Sequence, residues 1–214
     1  MNRRSFIKSA AAFPLFGIGG VAFGQSRARQ IAKGAKMRVA IIGCGARTHS
    51  ILEPILRERV VALVDPDPAQ LARVRALGAK LPNAANMEGV RTFSDYREMF
   101  EKIGDELDAV FIATPNHHHA LPALLAIRHG VNVYVEKPMA HTMEEVIRIG
   151  EEGRRAGVVV RVGNKGHNIS HRPTLAKYLK EGVIGDVTEV FSFSDRPNTM
   201  FRRPHTIPVP KGMD

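Results

Sequence analysis

Met37-Arg38-Val39-Ala40-Ile41-Ile42-Gly43-Cys44-Gly45-Ala46-Arg47-Thr48 is the stretch on which the reading of this chain turns. Its first seven residues are a short, almost continuously apolar run rich in branched side chains, the composition of a parallel strand buried on both faces. Gly43 and Gly45 follow at once, and a helical pattern over 48–57 comes next. In a strand, glycine turn and helix placed in that order, the first glycine makes the tight turn and the second lets the backbone approach a pyrophosphate. The helix N-terminus then offers unpaired N–H groups and a partial positive charge. The usual third glycine is replaced by Thr48, whose hydroxyl is expected to cap the helix.

Outward from this motif the same alternation continues. Apolar runs at 60–65, 108–114, 132–136 and 158–163 read as strands, and periodic segments at 68–78, 96–103, 118–129 and 143–156 read as helices. Parallel neighbours need a crossover, and these helices supply it, so the fold class is α/β: a Rossmann-type, doubly wound parallel sheet over 37–163. Beyond it, 175–181 reads as helix and 186–194 alternates like a strand with two different faces. The last stretch, 196–214, holds four prolines and no helical period. Residues 164–214 thus leave the α/β alternation, and the last of them read as an extended excursion that the chain never completes.

Strand ends collect the chemistry. Asp65 stands twenty residues beyond Gly45, where a carboxylate can accept from both ribose hydroxyls and repel a 2′-phosphate, which favours NAD over NADP. Its other reading, a helix cap, suits Asp67 better. The run Ala113-Thr114-Pro115-Asn116 closes a later strand beside His117, His118 and His119. Adjacent histidines project in different directions and cannot all meet one ion, so no metal site is expected. Glu136-Lys137-Pro138 ends another strand with a carboxylate, an ammonium and a proline, which in isolation reads as a surface ion pair beside a turn.

These landmarks, in this order and spacing, resemble the Gfo/Idh/MocA family of glucose-fructose oxidoreductase, inositol dehydrogenase and rhizopine-catabolism-like proteins, over about residues 37–190. The resemblance implies cofactor contacts at Gly43, Gly45, Ala46, Arg47, Asp65, Thr114, Pro115, Asn116 and His119. It also implies that Glu136 and Lys137 lie near the nicotinamide, with Lys137 the catalytic candidate that touches a substrate hydroxyl or assists proton transfer. Pro138 is commonly cis in the family, and Asn164 falls where members place a polar side chain near the nicotinamide. The implied reaction is hydride transfer between NAD and a sugar, cyclitol or related polyol. A glycosidase branch of the family, which regenerates its cofactor, and a fragment that binds NAD without turnover remain as alternatives. The resemblance further implies that 164–214 is the incomplete beginning of an α+β second domain, the one that carries the family's catalytic Asp-x-x-x-His-like pair; His167, His171 and His205 do not match its place and read as ordinary polar positions.

The net charge of +10 first suggests a polyanion partner. Seven of the 31 basic residues, however, fall within residues 1–36, which contain no Asp or Glu; 24 basic and 21 acidic residues remain. That near balance, without aromatic-basic interleaving, removes the electrostatic case for nucleic acid. Arg3-Arg4-Ser5-Phe6 and the uncharged stretch 9–24 resemble a twin-arginine signal peptide over 1–24, followed by a linker over 25–36. A retained anchor is the lesser reading, because about 16 uncharged residues broken by Gly and Pro fall short of a span of roughly 20. The expectation is thus export to the periplasm through the twin-arginine translocase, with homo-oligomerisation open for a full-length form. Cys44 is the single cysteine; it sits in the glycine turn, where packing rather than a catalytic thiol is expected.

Overall fold

The computed structural model describes residues 31–164 and 171–191. The expected signal peptide, the first half of the linker, and His167 and His205 lie outside the described residues. Within them, strands β1 (Arg38–Ile42), β2 (Arg59–Val64), β3 (Arg91–Phe93), β4 (Ala109–Ile112), β5 (Asn132–Glu136) and β6 (Val160–Gly163) form one sheet in the order β3-β2-β1-β4-β5-β6. Every neighbouring pair is parallel. Helices α1 (Ala46–Ile55), α2 (Pro68–Gly78), α3 (Tyr96–Ile103), α4 (Ala120–Arg128) and α5 (Met143–Ala156) are the crossovers, and α6 (His171–Lys180) follows the sheet.

Alternate residues of the central strands feed two cores. Val39, Ile41, Val60 and Leu63 pack with Leu52, Ile55 and Val74 from α1 and α2. Ala40, Ile42, Val110 and Ile112 pack with Phe100, Ala123, Ile127 and Ile149 from α3, α4 and α5. Burial on both faces is why these strands read as unbroken apolar runs rather than alternating ones. The near end of the sheet is tied by Asp108, whose carboxylate accepts from the Arg38 backbone N–H at 2.8 Å and from its guanidinium at 3.0 and 3.1 Å.

Helix ends follow their sequence signals. Asp67 caps α2 by accepting from Ala69 N–H at 2.8 Å, and Asp95 caps α3 in the same way. Thr142 and Glu145 form a reciprocal capping box on α5, and Gly157 closes that helix at φ +69°. Thr48 departs from expectation. It is fully buried inside α1, and its hydroxyl donates to the Gly43 carbonyl at 2.5 Å, closing the glycine turn from behind instead of capping the helix.

Two further departures concern strands. β3 is three residues long, too short for a period to show in the sequence, yet it extends the sheet by pairing with β2. The strand expected over 186–194 is absent from its described part: 186–191 has no regular structure. Alternation supplies two faces, but a strand also needs a neighbouring ladder of N–H and C=O groups. Residues 192–194 lie outside the described set. Every described side chain from 173 to 191 is exposed. No helix among the described residues is long and apolar enough to cross a membrane.

Candidate functional site

The strand order reverses direction between β1 and β4, and the groove opens at the C-terminal ends of these strands, the place where open parallel sheets bind ligands. It encloses about 840 Å³ and is walled by the glycine turn, the end of β2, the start of α3 and the turn after β4. That is within the range of small-molecule pockets, roughly 300–1,000 Å³.

Backbone sterics shape its floor. Gly43 adopts φ +91°, and a Cβ there would lie 2.7 Å from the Ala113 and Thr114 backbone, so no other residue fits between the two strand ends. Gly45, at the N-cap of α1, has nothing within 4 Å of where its Cβ would stand, which leaves the approach to the helix N-terminus open. No side chain caps α1 and no acidic residue sits in its first turn. The unpaired N–H groups there, with Arg47 beside them, form an anion-binding end. Thr48 and Cys44 pack behind the turn. Burial pushes the Cys44 thiol up to about 12, with Asp65 adding to the effect, so Cys44 is a packing residue and not a nucleophile.

Asp65 ends β2 in the groove wall. Its Oδ2 accepts from Cys44 N–H at 2.7 Å and its Oδ1 from Asp67 N–H at 2.9 Å. A carboxylate has about four acceptor sites, so lone pairs remain for a diol. Thr114, at the end of β4, carries a buried Oγ1 without a partner, and Arg47 has a buried Nε in the same condition. Unpaired buried donors and acceptors at the edge of a groove are what a polar ligand satisfies. The open glycine turn, the uncapped helix and these two orphaned atoms therefore fit a dinucleotide.

Of the residues expected to touch the cofactor, Gly43, Gly45, Ala46, Arg47, Asp65, Thr114 and Pro115 line this one groove. Asn116 stands just past it, exposed on a short 3-10 turn. His119 does not line the groove: it is 1% exposed, with Nδ1 2.6 Å from the Pro138 carbonyl and Nε2 2.8 Å from the Thr114 carbonyl. It braces two strand-end turns. Glu136 is likewise buried, its carboxylate bound to Arg47 at 2.7 Å. Lys137 is exposed at the end of β5, before a cis peptide bond to Pro138. Asn164 follows β6, at the sheet edge away from the β1–β4 crevice, and is exposed.

The groove's other wall was not singled out in the sequence. Ser94, Asp95, Tyr96, Arg97 and Leu121 line it. Burial holds the Tyr96 phenol above its ordinary value, and its ring meets His118 edge-on at 5.5 Å. The one signal available was Ser-Asp before the helical period of α3, a helix-start signature that says nothing of a ligand.

The Gfo/Idh/MocA profile, described as an oxidoreductase family with an NAD-binding Rossmann fold, matches residues 37–164. A 1-carboxy-3-chloro-3,4-dihydroxycyclohexa-1,5-diene dehydrogenase of Comamonas testosteroni is 34% identical over 162 residues, covering 74% of this chain and 38% of that protein. Inositol 2-dehydrogenase 2 of Saccharopolyspora erythraea is 36% identical over 133 residues, covering 59% and 36%. Among solved structures, the WlbA dehydrogenase of Bordetella pertussis in complex with NADH and UDP-GlcNAcA superposes with a TM-score of 0.56 at 27% identity, covering 69% of this chain and 43% of that one. The chain thus spans well under half the length of these relatives. With the groove, the glycine turn and the profile in agreement over the same residues, this chain belongs to the Gfo/Idh/MocA family of NAD-binding oxidoreductases.

Proposed function

We propose that the chain serves an NAD-dependent oxidoreductase that acts on a sugar, a cyclitol or a related polyol. The observation that carries this is the convergence of an open, uncapped glycine turn with the Asp65 carboxylate in one groove. Bound NAD supplies a hydride acceptor at its nicotinamide ring. The glycine turn and α1 hold the pyrophosphate, Asp65 accepts from the adenosine ribose, and Thr114 and Pro115 bound the groove beyond. Lys137, exposed at the end of the next strand but one from β1, holds or moves the substrate hydroxyl proton. The named activities of the relatives on a cyclic diol and on inositol support a polyol substrate.

The test is a titration of the purified chain with NADH followed by a turnover assay with NAD and a panel of cyclitols and sugars. Saturable binding and NADH production that Lys137→Ala abolishes support the reading. Saturable binding with release of free sugar from glycosides and no net NADH assigns the glycosidase branch instead, and no NADH binding defeats both. For location we propose export through the twin-arginine route, supported by Arg3-Arg4 and the uncharged stretch after them. Replacing both arginines by lysine is expected to retain the protein in the cytoplasm of a host with that pathway; unchanged export overturns the proposal.

A further inference from the structure

Glu136 does not line the groove, yet its carboxylate, 4% exposed, is held at 2.7 Å by Arg47, which does. The pair joins the first turn of α1 to the last residue of β5 across 89 positions of sequence. The Tyr134 hydroxyl stands beside the same carboxylate, two residues earlier on the same strand face, and burial with the Glu136 charge holds the phenol above its ordinary value. The Tyr134 ring is itself fixed by stacking on Phe111 at 4.6 Å between centroids. Room for this cluster comes from Gly163, directly across from Glu136 on β6. A Cβ there would lie 2.5 Å from the Tyr134 hydroxyl and 2.6 Å from Glu136 Oε1.

Arg47 uses Nη2 on Glu136 and Nη1 on Ser50 Oγ, at 3.3 Å, while its buried Nε has no partner. A guanidinium presents its donors in a rigid planar fork, so fixing one edge aims the rest. Arg47 itself stands in the first turn of α1, next to its uncapped N-terminus. We propose that Tyr134 and Glu136 are positioning residues for cofactor binding: they hold the Arg47 guanidinium at the glycine turn, ready to donate to a pyrophosphate oxygen. The proposal rests on the NAD reading above. An arginine already held in place loses little side-chain freedom when the phosphate arrives, so the pair raises affinity without touching the ligand. It differs from a direct Glu136 contact, which would act independently of Arg47.

NADH affinity, read by fluorescence on the intact chain, tests this in the wild type, Arg47→Met, Glu136→Gln, Tyr134→Phe and the Arg47→Met/Glu136→Gln double variant. Arg47→Met is expected to weaken binding by about tenfold or more, the loss of one charge-assisted hydrogen bond. Glu136→Gln and Tyr134→Phe are expected to weaken it by lesser factors, and the double variant to bind no worse than Arg47→Met. The fall of affinity with salt should be shallower in Arg47→Met and should not flatten further in the double variant. Losses that add in the double variant overturn the proposal, as does tighter binding by Glu136→Gln, which would mean that Glu136 competes with the phosphate. Tyr134→Phe keeps the ring stack, so it decides the matter should Glu136→Gln fail to fold: unchanged affinity there overturns it. Absence of NADH binding in the wild type defeats the functional reading, and the proposal with it; failure of the positioning alone leaves wild-type binding intact.

Discussion

Asp65 stands just past β2, in the wall of the groove. Each of its oxygens accepts one backbone N–H, from Cys44 and Asp67, so it holds the glycine turn to the end of β2 while facing the groove. A carboxylate so placed meets a 2′-phosphate with like charge. We expect calorimetric titration to give tighter binding of NADH than NADPH, and Asp65→Ser to shrink that preference by about tenfold or more. Because the same change frees the Cys44 N–H, NADH affinity should fall as NADPH affinity rises. Equal affinities in the wild type would end the ribose assignment. The position of Asp65 was legible from its spacing to Gly45; its bond from the Cys44 N–H was not, since that depends on where a turn 21 residues away comes to rest.

At the scale of elements, the helices were legible because caps and periods are local. Asp67, Asp95 and the Thr142–Glu145 box all lie where short-range rules place them. β3 was not legible, because Arg91-Thr92-Phe93 has no period of its own and becomes a strand only through the ladder β2 offers. The end of α4 carries a pH-dependent contact. His129, the residue after that helix, stacks on Phe100 at 5.0 Å, and burial holds it below its ordinary value of 6.5, with Asp105 opposing in part. His118 is lowered for the same first reason, burial, with His117 and Arg97 adding to it. Both are depressed on folding, so the unfolded chain binds more protons in this range. Their contribution is present above pH of about 6.5 and is lost as pH falls through their folded values. Thermal midpoints measured from pH 7.5 down to 5 should decline, and His129→Phe, which keeps the stack and removes the titration, should make the decline shallower. An unchanged slope in that variant would show that His129 titrates alike in both states.

On the scale of the whole molecule, the sheet supports the groove from both faces, so ligand binding and folding are linked. NADH at a hundred times its dissociation constant should stabilise the folded chain by about 2.7 kcal/mol, which for a protein of this size raises the thermal midpoint by roughly 5–10 °C. A thermal-shift titration with NADH, with adenosine as a control lacking the pyrophosphate, measures it. No shift at saturating NADH would separate the groove from the cofactor. The tail behaves differently. Leu175, Tyr178, Val187, Val190 and Phe191 are between 45% and 82% exposed, so they add no core to the sheet in this arrangement.

Residue order alone was enough for the fold class, the family, the glycine turn and the place of Asp65 after β2, because each rests on local sterics or on a spacing that a βαβ unit enforces. Tertiary structure alone decided what the polar residues at the strand ends do. His119 proved to be a brace, Thr48 a buried clasp on the turn, and Glu136 an anchor for Arg47. Each role depends on a partner that the fold brings close: a carbonyl five and nineteen residues away for His119, five for Thr48, and a guanidinium 89 residues away for Glu136. Hydrogen bonds and ion pairs act over about 3 Å, a distance that chain spacing cannot specify until the strands are laid side by side.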